Sequence, residues 1–378
     1  MKIITRIVVG LALLGGISQS WAQLNYVVYN GAAYLTGFNG AGKVEIPETT
    51  DGYPVVYIGP QTFFANSEIT DISIPATVTN IAFRAIYGCN GLTNITVDSQ
   101  NPVYSSYQGA LFTKDHGTLV QFPTGYAGRY TVPANVKNIG QEAFVGSTNL
   151  TEVILSGSVT NIERDAFANC YSLTNFQFST NLCNLGGGVF AVDRGLKNLI
   201  LPTGITTLGT SLLLSSGITH IVIPETVTNI GAAAFCGSTN LRSVTIPASV
   251  TLIDSSAFES CSGLESLFFK GNAPATNRFA CEYGIAYYLP GTTGWNTNFA
   301  GIPTALWNPT GVAGNRKTNG FGFTITGTQD IPLVVEVSTN LGNSWQPLKS
   351  LTLTNGACDF RDPQATNYGS AFYRFRSP

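Results

Sequence analysis

The chain has 378 residues, of which 44% are hydrophobic and only 11% charged, with a formal net charge of -2. That balance excludes the basic face nucleic-acid binding requires. Asn, Thr, Ser and Gly supply a polar surface with little charge, and the length fits two or three ordinary domains or one repeat array growing along a single axis.

Residues 1–22 read as a signal peptide. Lys2 and Arg6 give a positive start, Ile7 to Ile17 an apolar core too short to span a bilayer comfortably, and Ser20-Trp21-Ala22 a cleavage site. The mature chain is expected to start at Gln23, secreted or at the cell surface and without a transmembrane segment; an uncleaved anchor is the lesser alternative. Residues 23–47 hold short strands with turns at Asn30-Gly31 and Asn39-Gly40, a β meander suited to an N-terminal cap.

From 48 to 273 an apolar strand ends repeatedly in an Ile-Pro-like pair. The anchors Ile74, Val97, Val132, Leu155, Phe178, Leu201, Ile223, Ile246 and Phe269 are spaced by 23, 35, 23, 23, 23, 22, 23 and 23 residues, the signature of a solenoid of stacked coils. In Leu92-Thr-Asn-Ile-Thr-Val97 and Leu241-Arg-Ser-Val-Thr-Ile246 the first, fourth and sixth positions are apolar, so the others face solvent. An Ala-Phe pair follows in most coils (Phe144, Phe167, Phe235, Phe258), and its rings are expected to stack as an internal column with Ile86 and Leu213 as substitutes. The step of 35 comes from an extra stretch between Asn101 and Gly125, read as a strand pair turning at Lys114 to Gly117. Leu185-Gly-Gly-Gly188 and the short coil after Leu201 mark the expected bend or weak spot.

Cys89, Cys170 and Cys261 recur at one point of coils that are not neighbours, too far apart for disulfides if coils stack at about 4.8 Å, and read as small buried residues. A Cys236–Cys261 bridge stays open but unfavoured; Cys183, Cys281 and Cys358 have no evident partner. Residues 274–309 read as a C-terminal cap in which Trp295 and Trp307 cover the last coil, with an aromatic sugar platform as the alternative. Residues 310–318 read as a linker and 319–378 as a small all-β sandwich-like domain.

The run Ile246-Pro-Ala-Ser-Val-Thr-Leu-Ile253 through Ala257-Phe258, Cys261 and Leu264 resembles the leucine-rich repeat of BspA-type bacterial surface proteins, as does the long coil from Asn101-Pro-Val-Tyr to Phe122-Pro-Thr-Gly125. The resemblance covers about Asn25 to Ala273 and implies a mainly β leucine-rich-repeat solenoid of about 23-residue coils, working in adhesion or protein interaction. The C-terminal domain is similar, through Val337-Ser-Thr-Asn-Leu341, Trp345, Asp362-Pro363 and Phe372-Tyr-Arg-Phe-Arg376, to a module of secreted proteins from environmental Gram-negative bacteria.

Signatures of chemistry are sparse. His116 falls in a turn and His220 on an outward strand position; no nucleophile elbow and no zinc spacing is present, and no cofactor is implied. Acidic residues scatter over different coils, so no carboxylate pair is expected to flank a glycosidic bond. The outward strand positions are more informative. Asn94, Glu152, Asn175, Asn198 and His220 (continuing to Ser243 and Ser266) form one column, and Thr96, Ile154, Gln177, Ile200, Val222, Thr245 and Phe268 its neighbour. Exposed Ile154, Ile200, Val222 and Phe268 point to a surface for a protein or extracellular polymer, against the simpler reading that branched residues favour strands wherever they point. The sequence therefore points to a non-catalytic binding or adhesion protein. The alternative is a carbohydrate-binding accessory protein using Trp295, Trp307 or the C-terminal module, with a carbohydrate-active enzyme third.

Overall fold

The computed structural model describes residues 4–9, 23–276, 281–317, 320–340 and 344–376. Of the segment read as a signal peptide, residues 10–22 with the cleavage site lie outside these; Ile4–Val9 runs antiparallel to Gln23–Tyr29.

Up to Leu306 most of the chain is a sequence of short strands wound into a parallel β-solenoid. On its main face Gly42–Glu45, Ile69–Ile74 and Asn94–Val97 pair in parallel, then Gly128–Thr131, Leu150–Ile154 and Asn175–Gln177, then His220–Val222, Ser243–Ile246 and Ser266–Phe269. Two-residue strands such as Asn138–Ile139, Asn161–Ile162 and Asn184–Leu185 form a second parallel face. Corner threonines explain the polar, weakly charged composition: Thr93, Thr174 and Thr219 each donate a hydroxyl to a carbonyl of the preceding coil, at 3.3, 3.2 and 3.2 Å.

A third ladder runs along the turn side. There residues four apart, such as Glu142 and Gly146 or Asp165 and Asn169, have left-handed backbones (φ 56, 73, 56 and 63°). The N–H groups of residues 142, 144 and 146 donate to carbonyls 164, 166 and 168 of the next coil, and the pattern repeats from 165, 167 and 169 to 187, 189 and 191 and onward to residue 259. Between these turns and the strands lies the phenylalanine column, with ring centroids 4.5 Å apart for Phe122 and Phe144, 4.6 Å for Phe144 and Phe167, and 5.0 Å for Phe235 and Phe258. Leu213 takes its place in the short coil and is fully buried.

The long coil contains three strands, Tyr104–Tyr107, Ala110–Thr113 and Thr118–Gln121, one more than the sequence indicated, with turns at Gln108-Gly109 and at residues 114–117. Buried Asn101 starts the excursion: its amide donates to the carbonyls of Pro75 and Val78 (2.8 Å each) and its carbonyl accepts from the amides of Val103 and Tyr104 (2.9 and 2.8 Å). The pairing lapses again at the Gly-rich coil, where Asn198 meets His220 in a single bridge and Leu185 and Thr207 belong to separate sheets.

Beyond Phe269 the solenoid does not stop. Ile285–Tyr288 and Ile302–Leu306 extend the main face in parallel, and Asn298–Phe299 folds back antiparallel on the latter, so the segment read as a cap adds two rungs before closing. The stretch read as a linker is a strand, Thr310–Lys317, paired with Gly320–Thr326; its glycines sit in a sheet whose register shifts between Val312 and Asn315. It opens a sandwich of two three-stranded sheets, the second formed by Pro332–Ser338, Gln346–Thr352 and Phe372–Arg376.

Cys89, Cys170 and Cys261 are buried and unpaired, and each donates its thiol to the carbonyl of a column residue, Phe63, Phe144 or Phe235. Asp193 occupies the equivalent place one coil after Cys170, where other coils carry Ser147, Ser216 and Ser238. One of its oxygens accepts the Cys170 amide at 2.7 Å and the other has no partner among the described residues. Burial holds its carboxyl well above the usual carboxylate range, and the Cys170 amide only partly offsets this. Because the folded state resists ionisation while the unfolded chain ionises near about pH 4, stability falls as pH rises through that value and on towards the raised folded pKa. Asp193→Ser is expected to raise the Tm at pH 7, to change it little at pH 3, and to flatten this slope in melts across that range; an unchanged slope would place its cause elsewhere. Asn101→Ala, which strands two carbonyls and two amides, should cost about 2 kcal/mol or more in urea unfolding. A loss near zero would show that water replaces all four bonds.

Candidate interaction face

Side chains alternate across a strand, so the main face presents the two columns to solvent. The polar column is cross-linked in separate groups. Asn94 donates to Asp71 (3.2 Å), Asn175 to Glu152 (2.9 Å), and His220 Nδ1 lies 2.8 Å from Ser243 Oγ, while Arg129 lies 3.7 Å from Glu152. These groups satisfy one another in a flat row and none is aimed into a cleft. Among the described residues no cluster of His, Cys, Asp or Glu is arranged to hold a metal.

The apolar column divides. Ile200 is 89% exposed and Val222 64%, whereas Phe268 is only 4% exposed and Thr245 7%. The expectation that Thr245 and Phe268 belong to an open face is corrected here: the C-terminal sandwich lies over them. Phe268 stacks on Tyr287 (5.1 Å) and meets Trp307 edge-on (6.3 Å) in a cluster completed by Ile325, Leu333, Val335 and Phe360. Thr245 faces a cavity of about 210 Å³ shared with Phe375 and Arg376. Alternation marked these positions as outward correctly; only the packing of a distant part of the chain could reveal that they are covered. Asn94 and Thr96 are also set apart, because the hairpin turning at Gly109 stacks on their strand, with the Ile95 amide donating to Gly109 at 2.9 Å. What remains together is Glu152, Ile154, Asn175, Gln177, Asn198, Ile200, His220 and Val222.

The two tryptophans do not share a patch. Trp295 packs inward, 4.8 Å from Phe269 and stacked on Tyr288 at 5.2 Å, whereas Trp307 packs outward in the sandwich contact and donates its indole N–H to Pro332 at 2.9 Å. Neighbouring rungs turn them to opposite sides of one sheet.

The signature residues of the C-terminal segment hold the sandwich itself. Glu336, 5% exposed, receives Arg374 and Arg376 at 2.7 Å each, and Arg374 lies 4.4 Å over the Trp345 ring. Burial opposes the Glu336 charge, yet the two guanidiniums hold its carboxyl below the usual range. Tyr373 donates to Asp362 at 2.9 Å, whose other oxygen caps the turn after Pro363.

A parallel solenoid with one strand per coil on its main face, an internal phenylalanine column and coils of about 23 residues defines a leucine-rich-repeat protein. A family profile for the BspA-type leucine-rich repeat region matches residues 56–124, 122–241 and 215–283, well over half of the chain, and the chain belongs to that family. Among solved structures it is similar to a leucine-rich repeat protein from Eubacterium ventriosum, with 25% identity, a TM-score of 0.54 and 59% of each chain covered. The chain thus spans less than two thirds of that protein's length. Weaker likenesses include a leucine-rich repeat protein from Bacteroides ovatus (20% identity, TM-score 0.40, 77% of this chain and 100% of that one) and one from T. pallidum (20%, 0.30, 64% and 87%). No match is found among curated proteins. BspA-type proteins generally work in protein–protein interaction or surface adhesion and are generally not enzymes. No helix among the described residues is long and apolar enough to cross a membrane.

Placing a charge at Phe268 opposes the sandwich contact directly. Phe268→Asp is expected to speed proteolysis between solenoid and sandwich by about tenfold or more, with both halves still folded by circular dichroism. Equal cleavage rates would show that the contact is held elsewhere.

Proposed function

We propose that this chain is an exported, non-catalytic binding protein that docks a partner protein on the open part of its main strand face. The observation that carries the reading is the juxtaposition of Ile200 and Val222, both largely exposed, with polar residues that already satisfy each other. Exposed apolar side chains cost solvation that a partner recovers, and the polar row beside them adds registry at little further desolvation. Export rests on the N-terminal sequence pattern and on the habits of the family. A glycan platform has less support, since Trp295 and Trp307 are engaged in packing on opposite sides.

The test is binding of the chain to arrayed extracellular proteins and glycans, alongside an Ile200→Asp, Val222→Asp double variant. Protein hits should weaken by roughly tenfold or more in the variant, with its Tm unchanged because both side chains already face water. Hits confined to glycans and indifferent to the variant would refute the reading.

A further inference from the structure

The turn-side ladder is interrupted once. Arg84 and Glu142 hold equivalent left-handed positions (φ 59 and 56°) in successive turns, yet they lie 58 residues apart, because the long coil between them makes no such turn. On one wall of the resulting slot the amides of Arg84, Ile86 and Gly88 donate to no acceptor among the described residues, although their counterparts at 142, 144 and 146 all do. On the other wall the carbonyls of Gln141 and Val145 accept nothing among the described residues. Only the middle carbonyl, that of Ala143, is taken, by the Phe122 amide at 2.7 Å and the Gln121 side-chain amide at 3.5 Å. A cavity of about 270 Å³ separates the walls, with Leu111 and Val120 in its lining. Arg84 reaches across it to Glu142 through two bonds of 2.7 and 2.5 Å, and its guanidinium lies 5.1 Å from the rings of both Phe83 and Tyr87.

We propose that this slot binds a polypeptide segment of a partner protein in the turn conformation of the regular coils, which supplements the interrupted rung through its backbone and rests an apolar or aromatic side chain on Phe83 and Tyr87. Donors on one wall facing acceptors on the other are the complement of a backbone whose N–H groups all point one way and whose carbonyls all point the other, as they do in the regular turns of this chain. An anion would meet the Gln141 and Val145 carbonyls and the Glu142 carboxylate, and a cation would meet three amides. Phe83, 54% exposed at the mouth, supplies the apolar contact that a backbone-only site would lack. The site lies off the strand face and does not depend on a partner there.

The test pans the full chain against a displayed library of random dodecapeptides. Binding of enriched peptides is then measured on Gln121→Trp, which fills the slot, on surface Phe83→Asp, and on Val222→Asp as a control on the other face. Peptides should lose roughly tenfold or more on the first two variants and little on the third, should weaken similarly when one central amide is N-methylated, and should slow hydrogen exchange at Ile86 and Gly88. Failure to enrich peptides over the Gln121→Trp protein, equal binding to the two slot variants, or indifference to N-methylation would each overturn the proposal.

Discussion

Every regular coil of this solenoid leaves three backbone amides on its turn side that only the next coil can accept. This follows from the two left-handed residues four positions apart, which tip the intervening N–H groups to one side of the turn and the carbonyls to the other. Non-glycine residues in that conformation, such as Asp165 or Ser256, cost about 1 to 2 kcal/mol each, and three hydrogen bonds return about 1 kcal/mol apiece. The two roughly cancel, and the surplus comes from burying one large ring per coil, about 2 to 3 kcal/mol for a phenylalanine. The turn, the ladder and the aromatic column are thus one device, and each coil depends on a correctly built neighbour.

The device explains why the two irregular coils differ. At the long coil the turn itself is missing, and the apolar core divides there, one cluster ending at Leu111 and the other starting at Ala110. At the Gly-rich coil the turn ladder is intact, with Gly188 donating to Thr210 and Phe190 to Leu212, and the core is continuous. There it is strand pairing that lapses. A β-carbon on Gly187 would come within 2.7 Å of the Thr210 carbonyl, so the glycines let the turns close at the expense of the strand side. The most exposed apolar side chain, Ile200, sits at that lapse. Both candidate binding places therefore coincide with breaks in one of the ladders, where groups otherwise used by the next coil face solvent.

The anchors from Ile74 to Phe269 made the solenoid legible, because a buried position recurring at a fixed step has few other causes. The turn ladder was not legible: its left-handed positions are filled by residues such as Gln61, Arg84, Glu142, Asp165 and Ala233 more often than by glycine, so no residue type announces them. Periodicity also told which way Thr245 and Phe268 point but carries no information about what lies above them. The two rungs after Phe269 escaped notice because their spacing shortens, from Phe269 to Tyr288 and then Leu306. Thr310–Lys317 looked like a linker because its glycines carry the composition of one, while its pairing partner Gly320–Thr326 lies just beyond.

The antiparallel return of Asn298–Phe299 covers the start of the last rung, Ile302–Leu306, so the sandwich is not what pairs with that edge. Its contact is with the side of the solenoid, through Phe268, Tyr287 and Trp307, and this gives the strand face a border. The hairpin stacked on Asn94–Val97 makes the opposite border. Between them the outward column runs from Thr131 through Ile154, Gln177 and Ile200 to Val222, four steps of about 4.8 Å each, or about 20 Å along the axis. A stable protein interface buries about 800 Å² on each partner, more than a single column of that length supplies. A partner must therefore engage the polar row with the apolar one, and the covering sandwich becomes part of the surface that it meets.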